Sequence, residues 1–267
     1  MEKLSKAGRI FYGTGMADLG FQQFLYGNFR PVILPSWPSI PAIVFWAYLT
    51  GVFFIVAGIA IIFDKKGRMA SLILGGLLLM IFCFGQVSYE LFVDPYTRHL
   101  GVWTNALKEL ALSGGAFVMA ASFPEPAVNR REKPFLIRLL ERFIPLGPVF
   151  FSITLISFGI DHFFYMETVA ALVPSWMPDH VFWTYFAAVA LIGSGVAIIL
   201  KIRLRIITLL LGSMLFLWFA SLHIPRAIAD PYGADGNEIT SVFEALAFSG
   251  IAFVMAAVSR KNDDPVP

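Results

Sequence analysis

The stretch Ser113–Ala121 reads SGGAFVMAA, and 136 residues later the stretch Ser249–Ala257 reads SGIAFVMAA. The tripeptide Asp94-Pro95-Tyr96 returns at the same distance, as Asp230-Pro231-Tyr232. Self-similarity at a fixed offset across most of a chain indicates two copies of one structural unit. The positions at which the two copies differ are therefore pointers to function.

The composition is typical of a membrane protein. Hydrophobic residues make up 58% of the 267 residues, charged residues make up 14%, and the mean hydropathy is +0.74. Soluble domains contain more charge and less apolar surface. A bilayer core about 30 Å thick requires roughly 20 apolar residues per helix. Eight stretches reach that length: 9–29, 42–63, 69–93, 104–122, 148–166, 181–200, 206–228 and 241–258. We predict an all-α polytopic membrane protein with eight transmembrane helices.

Each half supplies four of these stretches, and an even number inserts both halves the same way up. The halves are then parallel repeats related by an axis along the membrane normal. Short connections make neighbouring helices antiparallel, so we predict a four-helix bundle in each half. The first repeat covers residues 1–134 and the second 135–267. The second opens with a basic amphipathic stretch, Phe135–Phe143, which is expected to form a short helix on the membrane surface.

The basic residues are sorted to one side of the predicted membrane. With the first end taken as cytoplasmic, 16 of the 20 Lys and Arg residues fall in cytoplasmic segments. The other side keeps only Arg30, Arg98, Lys108 and Arg226. The positive-inside rule then places both termini in the cytoplasm. The expected location is the cell (inner) membrane. Anionic lipid headgroups explain the basic loops better than nucleic acid does.

Polar side chains gather near the extracytoplasmic ends of the spans in the second half. A charge at mid-helix costs about 2.5–3.5 kcal/mol on insertion scales, so such residues mark candidate sites. The candidate ligand-binding residues are Asp161, His162, Trp176, His223, Arg226 and Glu244. We predict that they line an outward-facing pocket of ligand size in which His162 and His223 adjoin. The competing interpretation is that they form interfacial caps and ion pairs, with the aromatic residues in the usual interfacial belt.

The first half carries amides where the second half carries titratable groups. Gln22-Gln23 stands at the position of Asp161-His162, and Gln86 stands opposite His223. This difference predicts one working site in the second half and one degenerate site in the first.

A second difference between the halves involves charge. Lys108 occupies the position that Glu244 occupies in the second half. The two residues could pair across the axis between the halves and so neutralise two expensive charges. Glu109 and Glu90 are alternative partners for Lys108 within its own half.

Three motifs indicate a family: GIDHF at Gly159–Phe163, VPSWMP at Val173–Pro178 and FEALAFSG at Phe243–Gly250. With these motifs the chain resembles the DoxX-like family of small four-helix membrane proteins, here in a tandem form. The family is named after a subunit of a thiosulfate:quinone oxidoreductase, and other members are linked to membrane redox complexes. The resemblance implies a quinone-linked subunit with a redox partner protein. Many members have no established activity, so the resemblance supports the fold more than a reaction.

The residues themselves permit several chemistries. A quinone carbonyl could be hydrogen-bonded by the histidines and polarised by Arg226, with Asp161 taking up a proton. A b-type haem is disfavoured because each histidine lies close to its helix end. A metal site from Asp161, His162, His223 and Glu244 has suitable ligand types but no diagnostic spacing. There is no HExxH, P-loop, GxGxxG or nucleophile-elbow motif, and whether the chain is an enzyme stays open. The rivals are a carrier or binding protein for a small apolar or lipid-like molecule, and a membrane scaffold.

The predicted orientation has a direct test. A cysteine in place of Asn129, in a Cys83→Ser background that removes the only native thiol, should be labelled by an impermeant reagent only from the cytoplasmic side. Labelling from outside would reverse the orientation and move the proposed pocket to the cytoplasmic side.

Overall fold

The computed structural model describes residues 1–125 and 133–259, and this part of the chain contains helices and no strand. The α-helices are α1 (Glu2–Tyr26), α2 (Ile43–Ile62), α3 (Gly67–Ile81), α4 (Val87–Phe92), α5 (Thr104–Ser122), α6 (Phe135–Glu141), α7 (Gly147–Phe164), α8 (Met166–Ala170), α9 (His180–Ile199), α10 (Leu204–Trp218), α11 (Ile224–Ala229) and α12 (Asn237–Val258). Asn129 and four of the basic residues used to orient the chain, Arg130, Arg131, Arg260 and Lys261, lie outside the described residues.

Six helical segments are long and apolar enough to cross a membrane: Ile43–Ile62, Gly67–Phe92, Phe135–Phe164, His180–Ile199, Leu204–Ala229 and Asn237–Val258. The chain is thus an all-helical, multi-pass membrane protein. The sequence predicted eight spans, and six segments satisfy these criteria of length and apolar composition. The other two stretches do form long helices, α1 and α5, but Asp18, Gln22, Lys108 and Glu109 lower their hydropathy.

Two of the long segments contain a π-helical turn at equivalent places. The first π-helical turn, Phe82–Gln86, joins α3 to α4, and the second, Phe219–His223, joins α10 to α11. Each turn ends on a polar residue singled out by the sequence, Gln86 or His223. A π-helical turn accommodates one extra residue within a helix and is frequent at functional sites.

The helices pack across the two halves of the sequence. α1 contacts α2 and α12 most extensively, and α7 contacts α9 and α5. A first helix group therefore consists of α1, α2, α10 and α12, and a second helix group of α3, α5, α7 and α9. The main contacts between the groups are α5 with α12, α2 with α3, and α9 with α10. This differs from the expected bundle within each half, because the first long helix of each half packs on the last helix of the other.

Paired glycines allow the close contacts between helices of different halves. A Cβ atom at Gly250 on α12 would lie 2.5 Å from the carbonyl oxygen of Gly8 on α1. A Cβ atom at Gly114 on α5 would lie 2.6 Å from the carbonyl oxygen of Gly147 on α7. Only glycine allows helix backbones to approach this closely. In the central helix α12, 67% of the residues in its most apolar stretch are buried, whereas 22–39% are buried in the other five apolar segments.

A short helix, α6, forms where the sequence predicted one, at one end of the molecule, here named the connector end. Leu140 of α6 packs into the space left by Gly76 on α3. Lys133, just before α6, contacts Glu125 at 2.8 Å and Glu141 at 2.9 Å. The hydrogen bond from Lys133 lowers the pKa of the Glu125 carboxyl below its ordinary value. These contacts fasten α6 to α3 and to the segment that follows α5, and Arg68 at the start of α3 adds an ion pair to Glu141 at 3.2 Å. The opposite end is named the far end.

The glycine contacts between the halves have a matched test. Gly250→Ala should lower the thermal unfolding midpoint in detergent, because overpacking against a backbone oxygen costs about 1–3 kcal/mol. Gly193→Ala is the control, since a Cβ atom there meets nothing within 4 Å, and alanine favours a helix by about 1 kcal/mol over glycine. A Gly250→Ala midpoint at or above that of the wild type would contradict the packing argument.

Candidate functional site

One ion pair joins the two helix groups at the far end. Lys108 Nζ on α5 lies 2.7 Å from Glu244 Oε2 on α12, and their side chains are 16% and 5% exposed. Among the alternatives left open by the sequence, the structure brings Lys108 to Glu244. Its neighbour Glu109 cannot share this contact, because consecutive helical residues face different directions. The second carboxylate oxygen, Glu244 Oε1, is buried and has no hydrogen-bond partner among the described residues.

A second ion pair lies within the first helix group. Arg226 on α11 donates from Nε to Glu238 Oε2 at 3.0 Å and from Nη2 to Glu238 Oε1 at 2.5 Å. Parallel bonds of this kind fix both the position and the plane of the guanidinium group. Glu238 lies in the first turn of α12, so the pair anchors α11 to that turn. Arg226 is therefore held by a carboxylate and does not stand free to polarise a ligand.

His223 lies at the junction of these ion pairs. It closes the second π-helical turn, and Lys108, Arg226 and Glu238 are the charged groups that act on it electrostatically. His223 Nδ1 is buried and makes no hydrogen bond within the described part of the chain. A buried polar atom without a partner costs about 1–3 kcal/mol. The hydrogen-bonding capacity of this ring nitrogen is therefore unused by the described residues.

The structure adds a residue that sequence reasoning missed. Arg30, in the loop after α1, is 2% exposed. Its Nε donates to Thr240 Oγ1 at 3.2 Å, its Nη2 donates to the Asp235 carbonyl oxygen at 2.6 Å, and its guanidinium carbon lies 4.2 Å from the centre of the Tyr26 ring. Glu244 is among the carboxylates that act on Arg30 electrostatically. A cation this deep in an apolar chain is expensive unless it is bonded on several sides.

Arg30, Lys108, His223, Arg226, Glu238 and Glu244 are from here on called the ionic cluster. The cluster contains three of the four basic residues that the charge distribution left on the far side, Arg30, Lys108 and Arg226. Arg30 could have been noticed in the sequence for this reason, because few basic residues lie on its side of the predicted membrane. A basic residue is unusual on this side of the membrane and needs a nearby group to stabilise its charge. Lys108 and Arg226 each have a carboxylate partner, and Arg30 has a carbonyl partner.

Asp161 and His162 close α7, which packs on α9 and α5. His162 Nδ1 donates to the Phe158 carbonyl oxygen at 2.7 Å, and Asp161 Oδ1 is buried without a partner among the described residues. No hydrogen bond or ion pair in the described chain joins either residue to the ionic cluster. The structure thus pairs Glu244 with Lys108 and Arg226 with Glu238, while the predicted pocket and the proximity of His162 to His223 stay predictions.

Trp176 and the glutamines of the first half have other surroundings. Trp176 lies before α9 with 68% of its surface exposed, as a belt residue would. Gln23 Oε1 accepts a hydrogen bond from Thr50 Oγ1 at 2.7 Å. Gln86 Nε2 donates to the Pro31 carbonyl oxygen at 2.9 Å, and Gln22 Oε1 accepts from Thr240 Oγ1 at 2.6 Å. These amides tie helices and loops together.

Two cavities in the described part of the chain lie at the connector end. One, of about 160 Å³, is lined by apolar residues of α5, α7, α10 and α12, and the other, of about 370 Å³, lies beside the α2–α3 loop. The predicted ligand-sized cavity around the two histidines is not one of them. No group of three or more His, Cys, Asp or Glu side chains is placed to hold a metal ion within residues 1–125 and 133–259.

Comparison with protein-family models, with curated proteins and with solved structures gives no match to this chain. The DoxX-like resemblance therefore rests on the sequence motifs alone.

The ion pair between the helix groups has a double-mutant test. Glu244→Gln should destabilise the protein by about 3–5 kcal/mol, because it leaves the Lys108 charge buried without a partner. Adding Lys108→Met should recover much of that loss, since removing both charges can be nearly neutral. Unfolding of the four variants in one detergent measures the coupling.

A control and a contrary outcome complete this test. Glu125→Gln removes a carboxylate that is 68% exposed, and should leave the unfolding midpoint nearly unchanged. Purely additive losses from Glu244→Gln and Lys108→Met would show that each residue depends on some other partner.

Proposed function

We propose that this chain is a tandem DoxX-like protein of the inner membrane, with eight spans and both termini in the cytoplasm. Equivalent contacts in the two halves support the duplication. Ser113 Oγ donates to the Gly75 carbonyl oxygen at 2.9 Å, and Ser249 Oγ donates to that of Gly212 at 2.9 Å. The two π-helical turns begin 137 residues apart. α1 and α5 would be the remaining two spans. They can cross the membrane despite their polar residues, because they are buried between neighbouring helices and their polar faces are turned away from lipid.

We further propose that the ionic cluster binds a small molecule with an apolar body and a polar head, a quinone in the first place. The observation that carries this proposal is the pair of buried, unpartnered atoms His223 Nδ1 and Glu244 Oε1 beside the charges of Lys108 and Arg226. Protein interiors seldom leave such atoms unsatisfied. A ligand that supplies the missing hydrogen bonds would lower the free energy of the site.

The two atoms suit the two redox states of a quinone. When Nδ1 carries the hydrogen, His223 can donate to a quinone carbonyl. When Nε2 carries it, Nδ1 can accept from a quinol hydroxyl, as the ionised Glu244 carboxylate also can. The two tautomers of the neutral ring thus let one residue bond to either redox state. The resemblance to the DoxX-like family assigns the electrons to a redox partner protein.

A carrier without redox chemistry is the second candidate. The Lys108–Glu244 pair crosses from one helix group to the other at 2.7 Å, so breaking and reforming it would accompany any movement between the groups. Transporters built from parallel repeats hold their substrate at such an interface and move one bundle against the other. The same cluster would then bind a lipid-like molecule for transport.

Binding of a quinone depends on His223 in this proposal. His223→Gln, which copies Gln86 of the first half, should weaken binding of a short-chain benzoquinone by about tenfold or more, the effect of one lost hydrogen bond in a buried site. Titration of the purified protein, followed by tryptophan fluorescence, measures the dissociation constant. His99→Gln is the matched control because His99 is an exposed loop residue.

Solvent extraction of the purified protein separates the candidates. Co-purified quinone supports the redox-linked subunit, whereas bound lipid that is lost in His223→Gln supports the carrier. Equal quinone affinity for the wild type and His223→Gln would remove the cluster as the site, and the absence of any bound molecule would favour a scaffold.

A further inference from the structure

Glu109 on α5 is a buried acid that the ionic cluster does not use. It is 0% exposed, and neither carboxylate oxygen has a hydrogen-bond partner among the described residues. The neighbouring cation, Lys108, has its charge matched by Glu244 on another helix. Glu109 therefore lies in the protein interior without a counter-charge, although it follows a lysine in the sequence.

The surroundings of Glu109 offer acceptors rather than cations. α5 packs on α3, on the first π-helical turn and on α7 and α12. The first π-helical turn ends at Gln86, whose Oε1 is also buried without a partner. Cys83 in the same turn is the ionisable group that acts on Glu109 electrostatically, and a thiol brings no positive charge. An ionised carboxylate needs donors or cations, whereas a carboxylic acid is itself a donor.

The energetics favour the acid form. Transfer of an ionised carboxylate into an apolar interior without donors is far more costly than transfer of the neutral acid. A group in this position takes up a proton instead of remaining charged. The burial and the lack of partners point to this form independently of what the ionic cluster binds.

We propose that Glu109 is a proton-binding site of the first half of the chain. Its carboxyl holds one proton in the conformation described, and releases it only when a change of conformation gives the carboxyl water or a cation. The equivalent position in the second half is Ala245, by the offset of 136 residues. The halves then differ in kind: the second contributes most of the ionic cluster, and the first carries a neutral acid.

Infrared spectroscopy of the full-length protein in detergent tests this proposal. The wild type at neutral pH should show the carbonyl stretching band of a protonated carboxylic acid, which shifts to lower frequency when deuterium replaces hydrogen. The band should be lost in Glu109→Gln. It should be retained in Glu125→Gln, the control, because the Glu125 side chain is 68% exposed and lies in the connector, outside the ionic cluster.

Every outcome decides the proposal. Absence of the band from the wild type means that Glu109 is ionised, and it overturns the proposal without any variant. A band that persists unchanged in Glu109→Gln assigns the proton to another acid and also overturns it. If Glu109→Gln does not assemble, wild-type protein grown with carboxyl-labelled glutamate and the conservative variant Glu109→Asp replace it. The labelled band should shift with the isotope, and Glu109→Asp should move it to the frequency of an aspartic acid; failure of either shift overturns the proposal.

Discussion

Backbone contact between helices of different halves is the constraint on which the architecture depends. Gly8 against Gly250 and Gly114 against Gly147 bring α1 to α12 and α5 to α7 at distances that no side chain permits. In lipid the hydrophobic effect does not drive helices together, so close packing of small residues supplies much of the attraction. These contacts permit the exchange of first helices, which places α12 and α5 side by side at the centre.

The central position of α5 and α12 determines where charge can be kept. Helices facing lipid on most sides are almost purely apolar here, whereas the buried ones carry Lys108, Glu109, Glu238 and Glu244. Each charge of the ionic cluster is matched by a neighbour on a different helix or loop, so the cluster also fixes the relative positions of those elements. Two buried polar atoms, His223 Nδ1 and Glu244 Oε1, remain without a partner among the described residues.

The sequence predicted individual helices well and their partners poorly. The predicted stretches 42–63 and 104–122 agree closely with α2 (Ile43–Ile62) and α5 (Thr104–Ser122), because an apolar run of fixed length defines a span. The first prediction, 9–29, began late, since α1 starts at Glu2 and its polar first turns fall outside any apolar window. Hydropathy reports that a face is apolar but not which helix covers it, so the exchange of partners was not predicted.

The candidate site was likewise predicted from the sequence only in part. The pairing of Lys108 with Glu244 could be suggested from the repeat, because both occupy one position in the two copies. Arg30 could not be assigned in this way, since its partner Thr240 lies 210 residues away in sequence and belongs to no motif shared with it. The π-helical turns also escaped detection, because one extra residue in a helix leaves the hydrophobic pattern of its flanks intact.

The exchange of first helices also bears on the order in which the chain assembles during synthesis. α1 is made first, yet α12, against which it packs most extensively besides α2, is the last described helix to be made. Until α12 is inserted, the polar face with Asp18 and Gln22 lacks the helix that covers it. While the helices between α2 and α12 are being made, α1 and α2 therefore form an incomplete pair in the bilayer. Docking of α12 on α1 is therefore a late step in the assembly of the described helices.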